Sequence, residues 1–232
     1  MKIGDLVTRA RILLDDRQSP YLWETDELLL YVNDGLEMMA VECRIIEDDI
    51  TADDLEDTPN ELCEITMVVD QASYTVSPKV IEIIGAKVLE SGSTVRTKIE
   101  MWEKKDLDRT YPGWEATTSK PRMFYVTRDM DIVLYPYPDT AGTLYLHVIR
   151  LPLTIYDANE LDVELPIRGV YHTKLTDYLL YRAYQKKDAE TYNPDKADRH
   201  RQLFEHSLEE IKLQQIRFQN SETVVQPEDV YL

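Results

Sequence analysis

The chain is short of glycine, cysteine, histidine and phenylalanine, and it has no long apolar run. Seven glycines in 232 residues leave little material for the loops that cradle phosphates. Neither a phosphate-loop pattern nor a G-x-S-x-G turn is present. The two cysteines, Cys43 and Cys63, form no C-x-x-C pair and are too few for a disulfide framework. Cys43 falls on an apolar helical stripe and reads as a buried thiol, which fits a reducing compartment. The four histidines, His147, His172, His200 and His206, share no ligand spacing, so a zinc site is not expected. No apolar stretch approaches the ~20 residues that span a bilayer. The first residues, MKIGDLVTRARILL, contain Asp5 and lack a small-residue cleavage site, so neither a membrane partner nor a secretory signal is expected. No cofactor is expected.

Basic residues are also scarce. There are 26 Lys and Arg against 44 Asp and Glu, a net charge of −18. This excludes a general grip on nucleic acid, which needs clustered bases to neutralise phosphates. It leaves room for DNA passing nearby, because an acidic wall repels DNA and does not hold it. The acids concentrate between Glu47 and Glu64, where no base occurs. That stretch lacks the alternating acids and central glycine of a calcium-binding EF-hand. It reads as an exposed loop with at most a short helix.

Helical and strand-like patterns are both present. Ile3, Leu6, Val7, Ala10, Leu13 and Leu14 have helical spacing. Thr25 reads as the N-cap of a second helix, with Asp26 and Glu27 in its first turn. Leu28, Val32, Leu36, Met39, Ala40 and Cys43 form its stripe. Gly35 inside that helix costs about 1 kcal/mol against Ala, which points to the close approach of another helix. From about 65 to 155, short β-branched and aromatic runs predict about six strands. DIVLYPYPDTAGTLYLHVIR reads as a hairpin turning near Pro138 to Gly142. Leu107 to Lys120 reads as a long loop, with Trp102 and Trp114 beside or within it. Pro166 is placed at the first position of a third helix, 166–187. Asn193-Pro194 ends it, and a fourth follows over 195–218.

The expected fold class is α+β: a four-helix bundle with an inserted antiparallel β domain and an extended C-terminal tail. The bundle takes residues 1–46 and 160–218, the acidic loop 47–64, the β domain 65–159 and the tail 219–232. The stretch from Asn220 to Leu232, NSETVVQPEDVYL, is too short and too acidic to fold alone. Its Val224, Val225, Tyr231 and Leu232 read as anchors for a partner, the alternative being a frayed end. Fifteen tyrosines against three phenylalanines favour wet interfaces as well as cores. Tyr135, Tyr137 and Tyr145 read as cross-strand residues, while the overall excess points to assembly.

Catalytic candidates are few. Glu103-Lys104-Lys105 contains the E-x-K unit found in metal-dependent nucleases, yet no Pro-Asp pair precedes it, and exposed charge is the simpler reading. Two alternative functions follow. One is a metal-dependent nuclease using Glu103 and Lys105; the other is an acidic inhibitor that mimics DNA.

Several motifs resemble one family. They are IGDLVTRARILLDD, then WETDELLLYVNDG, PRMFYV, IVLYPYPDTAGTLYLHVIRLP, LPIRGVYHTKLTDYLLYRAYQKKD and a late FEHSL. Together they resemble the head-to-tail adaptor (connector or neck) proteins of tailed bacteriophages, of the tubular type, over roughly 3 to 215. The resemblance implies a structural virion protein, assembled in the host cytoplasm, with no enzymatic activity. It implies a ring, of twelve copies in most such adaptors, that joins the portal protein to the tail nozzle or next tail component. DNA would pass through the channel without specific binding. The C-terminal extension docking into the portal corresponds to about 219–232. The acidic 47–64 stretch has no counterpart in the family pattern.

Overall fold

The computed structural model describes residues 1–49 and 60–222. In chain order the elements are α1 (Ile3–Leu14), α2 (Thr25–Cys43), β1 (Glu47–Asp49), α3 (Asn60–Cys63), β2 (Glu64–Met67), β3 (Ser73–Tyr74), β4 (Val80–Glu90), β5 (Thr97–Met101), α4 (Lys104–Thr110), β6 (Met123–Val126), β7 (Ile132–Tyr135), β8 (Gly142–Arg150), α5 (His172–Tyr184) and α6 (Pro194–Glu222). Single 3₁₀ turns lie at Trp114–Ala116 and Gly169–Tyr171. The chain divides into two compact units, 1–46 with 152–232, and 47–151.

In the first unit the apolar stripes behave as their spacing requires. Ile3, Leu6, Val7, Ala10 and Leu14 of α1 are buried, whereas Leu13 is half exposed. The α1 helix ends at Asp15, which adopts φ 58°. Thr25 opens α2 but does not cap it: Glu24 holds the cap position, and Thr25 Oγ1 accepts from Arg11 Nη2 at 3.1 Å. Pro166 is not at a helix start. A 3₁₀ turn intervenes, and His172 Nε2 donates to the Ile167 carbonyl at 2.8 Å. Asn193-Pro194 breaks one helix and begins the next. Asn193 Oδ1 accepts from the Lys196 N–H at 3.0 Å, an N-cap, with Pro194 at the first helical position.

The helices do not close into a four-helix bundle. α5 lies among the others, and α1, α2 and α6 all pack on it. Its buried residues, from His172 and Leu175 to Ala183 and Tyr184, run around most of its circumference, as a central helix requires.

The second unit is not an antiparallel domain. Its eight described strands form one curled, mixed sheet, a half-barrel. The order is β1-β8-β4-β5-β6-β7-β3, with β2 also paired to β8. β5 and β6 are parallel, with Glu100 opposite Met123. A parallel pair needs a crossover of a dozen or more residues. The stretch expected to be a long loop supplies it, as α4 and the 3₁₀ turn at Trp114. Register shifts between Val80 and Glu82, and between Ile83 and Gly85, interrupt β4 beside β8, and such irregularities bend a sheet. At the start of β8, Gly142 lets the backbones meet: a Cβ there would stand 2.2 Å from the Leu89 carbonyl oxygen.

The expected hairpin is absent. β7 pairs with β6 on one edge and β3 on the other, while β8 pairs with β4 and with β1 and β2. Pro136 and Pro138 have no N–H to give a ladder between the two strands. The intervening Tyr137 instead bonds the backbone of Thr117 and Ser119. The acidic stretch contributes β1 and α3, and its residues 50–59 lie outside the described ones.

Both faces of β7 are buried. Ile132 and Leu134 share one face with Phe124 and the main sheet core, including Ile99, Val88 and Leu144. Val133 and Tyr135 share the other with Tyr125, Leu107 and Trp114.

Candidate functional site

The motifs WETDELLLYVNDG and LPIRGVYHTKLTDYLLYRAYQKKD meet within the first unit. Trp23 is buried, and its Nε1 donates to the Ala183 carbonyl at 3.0 Å. Asp16, after α1, accepts from Arg11 Nη1 at 2.8 Å and from the Leu22 N–H at 2.9 Å, which sets the turn before Trp23. This Arg11–Asp16 pair is almost fully buried. Asn33 clamps the returning chain by accepting from the Tyr156 N–H at 3.0 Å and donating to its carbonyl at 2.9 Å. Arg182 Nη1 donates to Asp34 Oδ2 and to the Tyr178 hydroxyl, both at 2.9 Å. Lys186 reaches the Leu22 carbonyl and Glu27, both at 2.7 Å. Gly35 lies against Leu175 and Tyr178, the close approach its sequence context predicts. Thus Trp23, Asp34 and Gly35 act as a latch to α5, while Asn33 holds the returning chain at Tyr156.

That latch positions α6. Tyr178 packs on Phe204 with ring centroids 5.0 Å apart, and His200 Nδ1 stands 2.9 Å from Asp177 Oδ1. Lys174 pairs with Glu210 at 2.5 Å and Lys212 with Glu42 at 2.6 Å. Lys174 holds the Glu210 carboxyl below its ordinary value. Cys43 is buried against the Leu208 carbonyl, and burial pushes its thiol up to about 11. Phe204, Leu208 and Ile211 are the last buried apolar residues of α6 among those described. Leu213 and Ile216 are more than half exposed. The helix therefore leaves its packing layer before the stretch that carries Val224, Val225, Tyr231 and Leu232. Those four residues lie outside the described ones.

The second unit holds an aromatic cluster beside its crossover. Trp114 stands edge-on to Tyr125 and Tyr135, each at 5.8 Å, and to Tyr137 at 6.3 Å. Its Nε1 donates to Asp108 at 2.8 Å. Burial raises the Tyr125 and Tyr137 hydroxyls above their ordinary values. Tyr135 and Tyr137 are thus packed around one tryptophan, whereas Tyr145 sits under the Arg96 guanidinium at 4.2 Å. Sequence reasoning missed this cluster. The signal was the three tyrosines of β6, β7 and the following Pro-Tyr-Pro at alternate positions.

Glu103 and Lys105 are exposed and pair with each other. Among the described residues no group of three or more His, Cys, Asp or Glu is placed to hold a metal. Glu47 and Asp48 of the acidic stretch pair with His147 and Arg150 on β8. No helix among the described residues is long and apolar enough to cross a membrane.

The family model of the SU10 adaptor protein matches residues 1–227. The chain belongs to the SU10 adaptor protein family. This is a phage head-to-tail adaptor family. Its match takes in both units and all of α6, with Val224 and Val225 inside it and Tyr231 and Leu232 beyond it. No curated protein matches the chain. As an SU10 adaptor the protein is a structural component of the phage neck.

Proposed function

We propose that this adaptor is one subunit of a ring, of twelve copies, that joins the portal protein to the tail nozzle or next tail component. The family match over residues 1–227 is the observation that carries this reading. The ring encloses the DNA channel, and the net charge of −18 lets DNA slide past without specific binding. Assembly takes place in the host cytoplasm and calls for no cofactor.

The stretch 219–232 is the joint to the portal, with Val224, Val225, Tyr231 and Leu232 as its anchors. α6 supports this role, since its last described side chains are not committed to the core. Twelve such joints act together, so modest affinity in each gives a lasting attachment. The test is a pull-down with the portal ring, comparing the full chain with one ending at Gln219. Retention of the full chain and loss of the shorter one is expected. Undiminished binding by the shorter chain removes the tail from this account.

A further inference from the structure

Among the described residues, two helical faces of the first unit are exposed, and only the second of them carries bases. On α2, a second row points away from the buried stripe: Leu30, Met38 and Val41 are 53%, 41% and 47% exposed. Asp26 and Glu37 are exposed in the same row, and α2 contains no base at all. On α6, the row opposite Phe204 and Ile211 carries Leu203 and Leu213, 43% and 56% exposed. Arg199 and Arg217 are exposed along that row, with His206 between them. Its acids are Asp195, at the start of the helix, and Glu210, which is already engaged by Lys174 and His206.

We propose that these faces are the two halves of a head-to-tail contact between neighbouring copies of this chain. The inference rests on the ring reading above and names its contact surfaces. Exposed apolar rows on ordered helices mark interfaces. Pairing α2 with α2 would set acids against acids. Pairing α2 with α6 of the next copy sets Glu37 against Arg199 and His206, and it covers both apolar rows. A contact between unlike faces is heterologous, the kind that propagates around a ring and does not stop at a dimer.

The heights agree as well. Copies in a closed ring are related by rotation alone, so contacting surfaces lie level along the axis. α2 and α6 run in the same direction because each packs antiparallel on α5, with Glu27 and Asp34 on Lys186 and Arg182, and Phe204 and Glu210 on Tyr178 and Lys174; Cys43 Sγ, 3.6 Å from the Leu208 carbonyl, sets their relative height. With 1.5 Å of rise per residue, Glu37 is level with the turn of α6 that holds Leu203 and His206. With the helices along the axis, the acidic and basic rows therefore meet.

Oxidative cross-linking of the full chain assembled on the portal ring tests the contact. Cys43 and Cys63 are buried, so background linkage is low. A chain carrying both Met38→Cys and Leu203→Cys is expected to give a ladder of covalent multimers, and each single variant none. Glu37→Arg should lower assembly about tenfold through like-charge contact, and Arg199→Glu added to it should restore assembly. Dimers from Met38→Cys alone would show α2 against α2 and overturn the proposal. A ring that forms normally yet gives no ladder would overturn this contact and leave the ring standing. Absence of any multimer from the unaltered chain would overturn both.

Discussion

An added Cβ at Gly35 would stand 2.5 Å from Leu175 Cδ1 and 2.8 Å from Tyr178 Cδ1. Leu175 ends in a methyl that can turn aside, but Tyr178 is held by Arg182 and Phe204. Gly35→Ala gains about 1 kcal/mol of helix propensity and meets about 1–3 kcal/mol of overpacking. We expect a net loss, read as a lower midpoint in thermal unfolding. A raised midpoint would show that α5 yields at this point. The glycine was legible in the sequence because its cost inside a helix demanded a reason. Thr25 was less so: a Thr before two acids is a good cap, but Arg11, fourteen residues earlier, claims its hydroxyl. No local pattern reveals a partner that distant.

At the scale of elements, helices and strands were legible from their periods, and their pairings were not. The β-branched and aromatic runs, read as about six strands, became the seven from β2 to β8, yet the run read as a hairpin divides between two parts of the sheet. Alternation identifies a strand's faces and is silent about its neighbours. The stretch Leu107 to Lys120 looked like a loop because its helix is only seven residues long. What organises it is Trp114, buried against three tyrosines and hydrogen-bonded to Asp108. Trp114→Ala should cost about 3–5 kcal/mol by emptying that cluster. Amide hydrogen exchange should show the loss first in residues 104–118, with the β4–β8 ladder protected for longest. Uniform loss of protection would mean that the crossover and the sheet core unfold as one.

For the whole molecule, stability should depend on pH in the alkaline range. Burial holds the Cys43 thiol at about 11, against 9.0 for an ordinary thiol. The unfolded chain loses this proton first, so between those values the folded state binds more protons. Stability is then fully present below about pH 9 and falls as pH rises towards about 11. Burial raises the Tyr31 and Tyr178 hydroxyls in the same sense. Urea midpoints should fall across this range, and Cys43→Ala should flatten part of the slope. A midpoint independent of pH would contradict it. The division between helical and strand-rich sequence was legible at this scale, because apolar period changes near residue 65 and again after 155. The central place of α5 and the parallel β5–β6 pair were not, since both depend on which surfaces meet.

One edge of β8 is used twice. β1 ends opposite His147, and β2 begins opposite Tyr145, so only Leu146 separates the two pairings. The chain between them departs from and returns to almost the same point on a strand already fixed by β4. Lengthening or shortening that stretch leaves both registers where they are, and each doubling of its length costs only about 0.6 kcal/mol in closure entropy. The fold thus carries a built-in splice point, where added sequence can be borne without rebuilding the sheet.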